Sequence, residues 1–386
     1  MIKVGSDFSG VGAFNQALIR LGVDYKEVFA CDMDKYARQT FIHNYGQPEY
    51  YPTNVYEREI PKESLDLYVS SPPCQAFSLA GKRLGKDDKR GILFFNSHEF
   101  IQVNKPRFFI FENVKGLLSD DGGKTFSEWV NMLGGKSVNG IPILFPYEDS
   151  VPYHLYWQVL NAKNHGVPQN RERVFLIGIR DDIDNRFQFP REEHLTKRLK
   201  DVLEDEVDDK YFLSDKMIDG FTKHNENHNE KNTGFIFEPK NENDIANCLR
   251  ANAALCPTDN TLKFKYGLKN KRESNFNYGC HKLNNTLDTR CQQGVLIGDY
   301  RTDEGFRWRA DGSSPALCAR AREDGSGQPI TSDGFKIRRL TPRECFRLMG
   351  FPDTFTWPVS DSQAYKQAGN SIVVNVLYKI LKNLPL

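Results

Sequence analysis

The feature that most constrains this fold is a series of short apolar segments over residues 1–180, each separated from the next by an amphipathic stretch. Every segment is apolar on both faces, which is typical of a buried strand in a parallel sheet. The first intervening stretch has helical spacing over 13–21, and Gly22 is placed to end that helix. The pattern predicts a doubly wound, Rossmann-like α/β sheet. Its predicted strands are Ile2–Ser6, Val28–Cys31, Leu65–Ser70, Phe108–Phe111 and Val174–Ile179.

The character of the chain changes over residues 181–335, where polar residues and glycine dominate and long helices are not expected. Beyond this stretch, Thr341–Glu344 combines an N-cap residue, a proline at the first helical position and a capping-box glutamate. Residues 369–371 then predict the start of another apolar helix. We therefore expect a discontinuous domain, 1–180 with 336–386, into which the polar stretch is inserted as a smaller domain.

Composition excludes few classes of protein. The chain has 386 residues, of which 39% are hydrophobic, and this is enough to bury a core. A net charge of +1 neither demands nor excludes a polyanionic partner. The eight cysteines show no Cys-x-x-Cys and no zinc-ligand spacing, so we expect free thiols, a reducing compartment and no metal. Because no apolar run of membrane-spanning length and no signal-peptide pattern are present, we expect a cytoplasmic protein.

A glycine-containing turn, Asp7–Gly12, follows the first predicted strand and leads into the first helix. Backbone N–H groups at such a place can meet an anionic or polar ligand, although an ordinary tight turn remains the alternative. Asn15 stands where a dinucleotide fingerprint has its third glycine, which disfavours a dehydrogenase. Asp32 ends the second strand, where its carboxylate can accept bonds from ribose hydroxyls, and Met33 suits a purine face. A helix cap and a core methionine are the alternatives for these two residues.

A cysteine in a rigid frame marks the next strand end. Pro72 and Pro73 stiffen the backbone and place Cys74 at the carboxyl edge of the sheet, where ligands of α/β proteins bind. A small buried hydrophobic residue is the alternative role for this thiol. Ala80–Gly91, rich in glycine and basic residues, is typical of a loop that closes on a phosphate backbone, or else of a solvated charged loop.

Two further motifs are predicted at the same edge. Glu112–Val114 follows four apolar residues, and a carboxyl group placed there requires a polar partner if it is buried. Gln169–Arg173 precedes the last predicted strand and can bring guanidinium groups to this rim. The sequence therefore gathers a thiol, a carboxyl group and arginines at one sheet edge.

In this order, the motifs resemble those of the cytosine-5 DNA methyltransferase family, in particular its prokaryotic and phage type II modification enzymes. The ordered motifs are Asp7–Gly12, Pro72–Gln75, Glu112–Val114, Gln169–Arg173, Arg339–Glu344 with Leu348–Pro352, and Gly369–Ser371. Two positions depart from the family pattern. Ala13 replaces a glycine, and Asn54 replaces an acidic residue that commonly contacts the adenine amine. Because an amide carbonyl still accepts that bond, we expect a modestly altered cofactor affinity.

The resemblance implies a Rossmann-like methyltransferase domain that binds S-adenosylmethionine and releases S-adenosylhomocysteine. It also implies that the inserted residues 181–335 form a target-recognition domain. The residues that the resemblance assigns to the cofactor are Phe8, Ser9, Gly10, Gly12, Asp32, Met33, Asn54, Asn370 and Ser371.

The resemblance further implies a covalent mechanism. The Cys74 thiolate adds to carbon 6 of cytosine, Glu112 binds and protonates N3, and carbon 5 then accepts the methyl group. Arg171 and Arg173 orient the base, its phosphate and Glu112. Since carbon 5 is hidden in a duplex, the cytosine must be flipped into the pocket.

Double-stranded DNA is the partner that the resemblance implies. A segment that mixes cations with aromatics, 263–272, is typical of contacts to phosphates and bases, with solvated surface as the alternative. The expected DNA contacts are Gln75, Ser78, Lys82, Arg83, Arg90, Gln169, Lys263, Lys265, Lys269, Lys271 and Arg272. We expect a monomer, and a restriction endonuclease as a functional rather than a physical partner.

Three other functions compete with DNA methylation. A relative that methylates cytosine in tRNA uses the same catalytic residues, but the long polar insertion favours a DNA reader. An inactive DNA-binding regulator on this scaffold is disfavoured because Cys74, Glu112 and Arg171 are all present. A nucleotide-dependent oxidoreductase requires the full dinucleotide fingerprint, which the chain lacks.

Overall fold

The computed structural model describes most of residues 1–214 and 335–386 and fragments of the remainder. The described residues are 1–72, 92–214, 217–218, 220–221, 225, 237–251, 260–265, 296–301, 305–308, 329–332 and 335–386. Cys74 and the Ala80–Gly91 segment lie outside them. Within the described chain, none of the helices has the length and apolar character needed to cross a bilayer.

The largest sheet among the described residues has eight strands in the order β2-β1-β3-β4-β8-β7-β5-β6. Its strands are β1 Ile2–Asp7, β2 Tyr25–Cys31, β3 Leu67–Ser70, β4 Phe108–Val114, β5 Ser137–Val138, β6 Ile141–Pro142, β7 Tyr153–Asn161 and β8 Glu172–Arg180. The first four strands are mutually parallel, as predicted. The expectation of a parallel β8 is wrong, because this strand runs antiparallel to both β4 and β7. A strand buried on both faces looks alike in either direction, so its apolar pattern carries no information about direction.

Seven α-helices with fully described bounds belong to the same unit of the chain as this sheet. They are α1 Ala13–Leu21, α2 Lys35–Tyr45, α3 Ile92–Asn104, α4 Lys124–Leu133, α5 Pro342–Leu348, α6 Asp361–Asn370 and α7 Val374–Lys382. Gly22 ends α1 with a φ of 72°, a left-handed conformation that suits glycine, and α5 begins at the predicted proline. The apolar helix predicted to start at residues 369–371 is α7, but it begins only at Val374, because α6 continues through Asn370 and Ser371 is extended.

The main core lies against β3 and β4 and is rich in aromatic rings. Tyr68 stacks on Phe100 with ring centroids 4.2 Å apart, and Phe94 stacks on Trp129 at the same distance. All four residues are buried. Because β3 and β4 are packed in this way, the residues at their carboxyl ends are carried on rigid elements.

The chain divides into two compact units. The first comprises Met1–Val202, Asp244–Leu255 and Pro342–Leu386, and the second comprises Leu203–Asn243 and Cys256–Thr341. The expected boundaries were instead 180 and 336. The difference arises in part because Ala246 pairs with Gln169, and the Leu199 N–H donates to the Asp244 carbonyl, 3.0 Å away. With these contacts, residues 181–202 and 244–255 belong to the first unit, although the sequence pattern assigned them to the inserted domain.

The second unit is described only in fragments and is built from short antiparallel strands. Its strands are β9 Thr261–Lys265, β10 Leu296–Arg301, β11 Gly305–Trp308, β12 Pro329–Ser332 and β13 Phe335–Arg339. One sheet has the order β11-β10-β12, and the other pairs β13 with β9.

Candidate active site

The loop after β1 leaves room for a ligand directly above its backbone. Phe8, Gly10 and Gly12 have φ angles of 57°, 55° and 80°. A Cβ placed on Gly10 would meet no atom within 4 Å, whereas one on Gly12 would overlap the Tyr45 ring. Gly10 therefore borders open space, while Gly12 is required for packing against α2.

Asp32 joins the end of β2 to this loop. Its Oδ2 accepts a hydrogen bond from the Gly10 N–H at 2.7 Å, and its Oδ1 accepts one from the Asp34 N–H at 2.8 Å. Burial raises the pKa of the Asp32 carboxyl, and these two bonds oppose that rise. Asp34, rather than Asp32, caps α2, because its side chain accepts from the Tyr36 and Ala37 N–H groups. Each Asp32 oxygen retains a lone pair with which to accept a ligand hydroxyl.

Met33 is not part of the core. Its side chain is 86% exposed, so the alternative of a core methionine is wrong. It directly follows Asp32 and is a polarizable surface for a purine. Ser9 lies on the same loop, and its Oγ is 3.1 Å from the hydroxyl of Tyr51, whose ring packs under the Arg38 guanidinium at 4.0 Å.

Asn54 uses its side chain to close its own turn. Its Oδ1 accepts from the Tyr56 N–H at 3.1 Å, and its Nδ2 donates to Glu57 at 2.9 Å. The carbonyl oxygen that we expect to meet the adenine amine thus already has one partner. It has capacity for a second, and its contact with a cofactor stays a prediction.

Glu112 lies at the carboxyl end of β4, next to β3. It is 8% exposed, and Arg173 Nε lies 3.1 Å from its Oε1. Burial raises the pKa of the Glu112 carboxyl, and the charges of Arg173 and Arg171 lower it. Residues 112–114 belong to β4 itself, whereas the sequence pattern predicted that they follow the strand. Since Asn113 Nδ2 donates to the Pro72 carbonyl at 3.0 Å, β4 also fixes the residue two before Cys74.

Arg171 faces the protein interior. Its guanidinium donates to the carbonyls of Leu249, Gly369 and Ser371 at 3.1, 3.0 and 2.9 Å. The expectation that Arg171 orients the base and phosphate is wrong for this structure, since its two terminal nitrogens are engaged by backbone carbonyls. Arg171 directly precedes β8 and is a positioning residue that joins this strand's start to two segments distant in sequence, and Ser371 is buried beside it.

The end of α6 meets the 244–251 segment closely. A Cβ on Gly369 would lie 2.6 Å from the backbone nitrogen of Ala251 and would overlap the Arg250 carbonyl. Only glycine permits this approach. Asn370, the next residue, is exposed.

Cys248 is a component of this region that sequence reasoning missed. Its Sγ lies 3.3 Å from Arg171 Nη1 and 3.9 Å from Arg173 Nη2. It is free and partly buried. The only signal in the sequence is a weak similarity of Ala246–Arg250 to two later segments, and that signal gives no partner.

One expected DNA contact is contradicted. Gln169 is 0% exposed, and its amide donates to the Leu348 carbonyl at 2.7 Å and accepts from the Leu249 N–H at 3.1 Å. Gln169 thus links two backbone segments inside the protein and exposes no surface to a phosphate. Lys263 lies on β9 of the second unit, and Lys265 is described by its backbone only. The other predicted DNA contacts lie outside the described residues: Gln75, Ser78, Lys82, Arg83, Arg90, Lys269, Lys271 and Arg272.

Comparison with known proteins gives one family and one fold. The family model of the C-5 cytosine-specific DNA methylases matches residues 2–385. The orphan methyltransferase M.SPRI of Bacillus phage SPR is 32% identical, over 99% of this chain and 97% of its own length. Type II methyltransferase M.HpaII of Haemophilus parainfluenzae is 33% identical, over 98% of this chain and 88% of its own length.

Solved structures agree in fold. The Dnmt2 methyltransferase of S. pombe has a TM-score of 0.62 and 18% identity, over 99% of this chain and 97% of that one. A DNMT2 mutant of Spodoptera frugiperda has a TM-score of 0.64 and 19% identity, over 99% of both chains. At these identities the likeness shows the fold alone, and the predicted α/β, Rossmann-like class is confirmed.

Proposed function

The chain belongs to the C-5 cytosine-specific DNA methylase family and is a DNA (cytosine-5-)-methyltransferase, and from this premise we propose that it methylates a cytosine flipped out of a specific duplex DNA sequence. The methyl donor in this proposal is S-adenosylmethionine, and S-adenosylhomocysteine is the product. The resemblance read from the motifs is thereby confirmed at the level of the family.

The observation that carries the proposal is the position of Glu112. Its carboxyl group lies at the carboxyl end of β4, paired with Arg173, while Asn113 holds the segment that leads to Cys74. A carboxyl group on β4, beside the segment that leads from β3 to the Cys74 thiol in the sequence, suits nucleophilic addition to a ring whose nitrogen is protonated.

The cofactor loop fits S-adenosylmethionine. The donor supplies an electrophilic methyl group on a sulfonium. The open space at Gly10 admits a ligand to the backbone, the Asp32 carboxylate is placed to accept the ribose hydroxyls, and the exposed Met33 is suited to cover the adenine. Phe8, Ser9, Gly12, Asn54, Asn370 and Ser371 complete the proposed set.

In the proposed reaction the Cys74 thiolate forms a bond to carbon 6 of the flipped cytosine. Glu112 gives a proton to N3 as electron density moves from the 5,6 double bond. Burial raises the pKa of the Glu112 carboxyl, which favours its protonated form. After carbon 5 accepts the methyl group, loss of its proton to a base restores the 5,6 double bond and releases the thiolate, and N3 returns its proton to Glu112. Arg173 holds Glu112 throughout.

We assign target recognition to the second unit, with Lys263 and Lys265 as candidate DNA contacts on β9. The match to the type II enzyme M.HpaII supports a restriction-modification role, with an endonuclease as a functional partner. A monomer in the cytoplasm stays our prediction. The tRNA alternative draws no support from the structural neighbours, since at 18% and 19% identity they show only the fold.

The test is a methylation assay with labelled S-adenosylmethionine, mixed-sequence duplex DNA and, in parallel, tRNA, using wild type and Cys74→Ala. Bisulfite sequencing of the DNA product then maps the modified positions. We expect label at carbon 5 of cytosine in DNA, abolished by Cys74→Ala, while that variant still binds S-adenosylhomocysteine. Label in tRNA alone would transfer the assignment to RNA, and binding without any transfer would indicate a regulator.

A further inference from the structure

A charged pair lies in the core directly beneath the cofactor loop. Arg58 Nε is 2.9 Å from Asp7 Oδ1, and the two side chains are 2% and 0% exposed. Asp7 is the last residue of β1, immediately before Phe8. Both partners belong to the first unit and come from segments that are distant in the chain.

The remaining contacts of the pair are also internal. The Tyr68 hydroxyl donates to Asp7 Oδ2 at 2.6 Å. The Arg58 guanidinium lies over the Phe100 ring, 4.7 Å from its centroid, and Nη2 donates to the Asn96 carbonyl at 3.3 Å. Burial raises the pKa of Asp7, and Arg58 and Tyr68 oppose that rise. None of these groups is placed to touch a ligand.

Such a pair is a poor means of stabilising a core. Desolvating two charges costs roughly as much as their attraction returns, and apolar replacements of similar volume are often neutral or stabilising. Its value therefore lies in fixing geometry. A carboxylate and a guanidinium accept fewer relative orientations than two apolar side chains do, because their attraction depends on short contacts between particular atoms.

The geometry that this pair fixes belongs to the proposed cofactor site. Asp7 directly precedes Phe8, whose left-handed φ of 57° begins the loop, and Arg58 directly follows the turn that Asn54 closes with Glu57. The pair therefore joins the loop that approaches the ligand to the turn that would carry the adenine contact. Asn54 carries no charge, so the proposed hydrogen bond from the adenine amine to its side chain depends on where the turn places that side chain.

We propose that Asp7 and Arg58 are positioning residues that hold the Phe8–Gly12 loop and the Asn54–Glu57 turn at the spacing that cofactor binding requires. The proposal rests on the proposed function in that the ligand is S-adenosylmethionine or its product. Tyr68 supports the pair by fixing the second oxygen of Asp7.

The test separates stability from cofactor affinity in the full chain. The double variant Asp7→Leu/Arg58→Met removes both charges at similar volume, and S-adenosylhomocysteine affinity is measured by calorimetry beside the Tm. We expect a Tm equal to or above that of wild type, with an affinity weaker by about tenfold and an unchanged KM for DNA. A double variant that binds as tightly as wild type would overturn the positioning role.

A milder pair of variants decides the question if the double variant does not fold. Tyr68→Phe removes one donor to Asp7, and Tyr153→Phe removes an equally buried hydroxyl that donates to the Pro106 carbonyl, remote from the loop. Both should lower the Tm, but only Tyr68→Phe should weaken cofactor binding, by about threefold. Equal affinities in the two variants would overturn the proposal. Absence of binding by the wild type would instead refute the proposed cofactor itself.

Discussion

Arg173 lies directly opposite Val114 across the β4–β8 ladder, and its guanidinium nevertheless reaches back along the strand to within 3.1 Å of the Glu112 carboxylate. The pair is diagonal, so a change of register would break it. Burial and the nearby guanidinium groups act on the pKa of Glu112 in opposite directions. Arg173 is therefore the first of the groups that lower the pKa of Glu112 against the effect of burial.

The first prediction concerns the pH dependence of methylation in Arg173→Met. Burial raises the pKa of Glu112 and the charge of Arg173 lowers it. When that charge is removed, the pKa of Glu112 rises further. If protonated Glu112 is the required form, the alkaline limb of the kcat profile moves to higher pH, and kcat at its optimum falls roughly tenfold as orientation is lost. Lys115→Met removes an exposed ion pair with Glu172 and should leave the profile in place. An alkaline limb that moves to lower pH would refute this sign.

The second prediction concerns Arg171, whose guanidinium bonds three carbonyls from two distant segments. Arg171→Lys keeps the charge but cannot present the planar fork that reaches all three. We expect the free energy of unfolding to fall by about 3 kcal/mol, because buried carbonyls lose charged donors. Urea denaturation measures this loss. Arg186→Lys, at an exposed site beside Asp184, should show no comparable change, and similar losses in both variants would contradict the role of Arg171.

The third prediction uses the close approach at Gly369. A Cβ there would overlap the backbone of Arg250, which cannot move as a side-chain tip does. We expect Gly369→Ala to cost about 1–3 kcal/mol in unfolding free energy and to displace Ser371. Gly116→Ala is the matched control, since its nearest neighbour is a side-chain carbon of Val114 at 3.9 Å. Thermal unfolding of both variants is the measurement, and a tolerated Gly369→Ala would mean that the two segments can separate without loss.

The fourth prediction concerns Glu27 on β2. Its Oε1 is enclosed without a hydrogen-bond partner, and burial raises its pKa to about 8, against the hydrogen bond from Asn15. Between the unfolded pKa near 4.5 and the folded value, the native state holds a proton that the unfolded chain has released. The free energy of unfolding therefore falls as pH rises through this window, by up to about 1.4 kcal/mol per pH unit.

The measurement for Glu27 is denaturant unfolding at pH 5.5 and at pH 8 in wild type and Glu27→Gln. The neutral amide should flatten the dependence and make the variant the more stable protein at pH 8. An identical slope in the two proteins would show that Glu27 titrates as it does in water.

Sequence reasoning located the ends of β2 and β3 correctly and ended β4 three residues early, but it identified the partners of the side chains there poorly. Asp32 and Glu112 could be placed at one sheet edge, because apolar runs of strand length reveal where parallel strands end. The partners of Arg171 come from residues 249, 369 and 371, and no local periodicity relates them. Gln169 stands in a polar motif, which suggests a surface position. Its side-chain amide is instead hydrogen-bonded to backbone groups of other segments.

The Asp7–Arg58 pair is a second case in which the sequence does not reveal the partner of a side chain. A charged residue at a strand end suggests a ligand contact, and only the packed structure shows that Asp7 faces an arginine in the core. The apolar pattern likewise could not predict that β8 runs antiparallel to β4. What the residues can do chemically is readable from the sequence, whereas what they are bonded to depends on contacts between distant segments.

The closing segment of the first unit has a consequence for synthesis. Lys366 pairs with Asp34 at 2.6 Å, Thr40 donates to Gln367 at 3.0 Å, and Arg20 donates to Asn375 at 2.7 Å. The helices beside the cofactor loop thus receive their last neighbours from residues emerging more than three hundred positions later, while the second unit is made in between. The first unit can therefore complete its packing only after residues 366–375 have been synthesised, so chains interrupted within the second unit leave α1 and α2 without these partners.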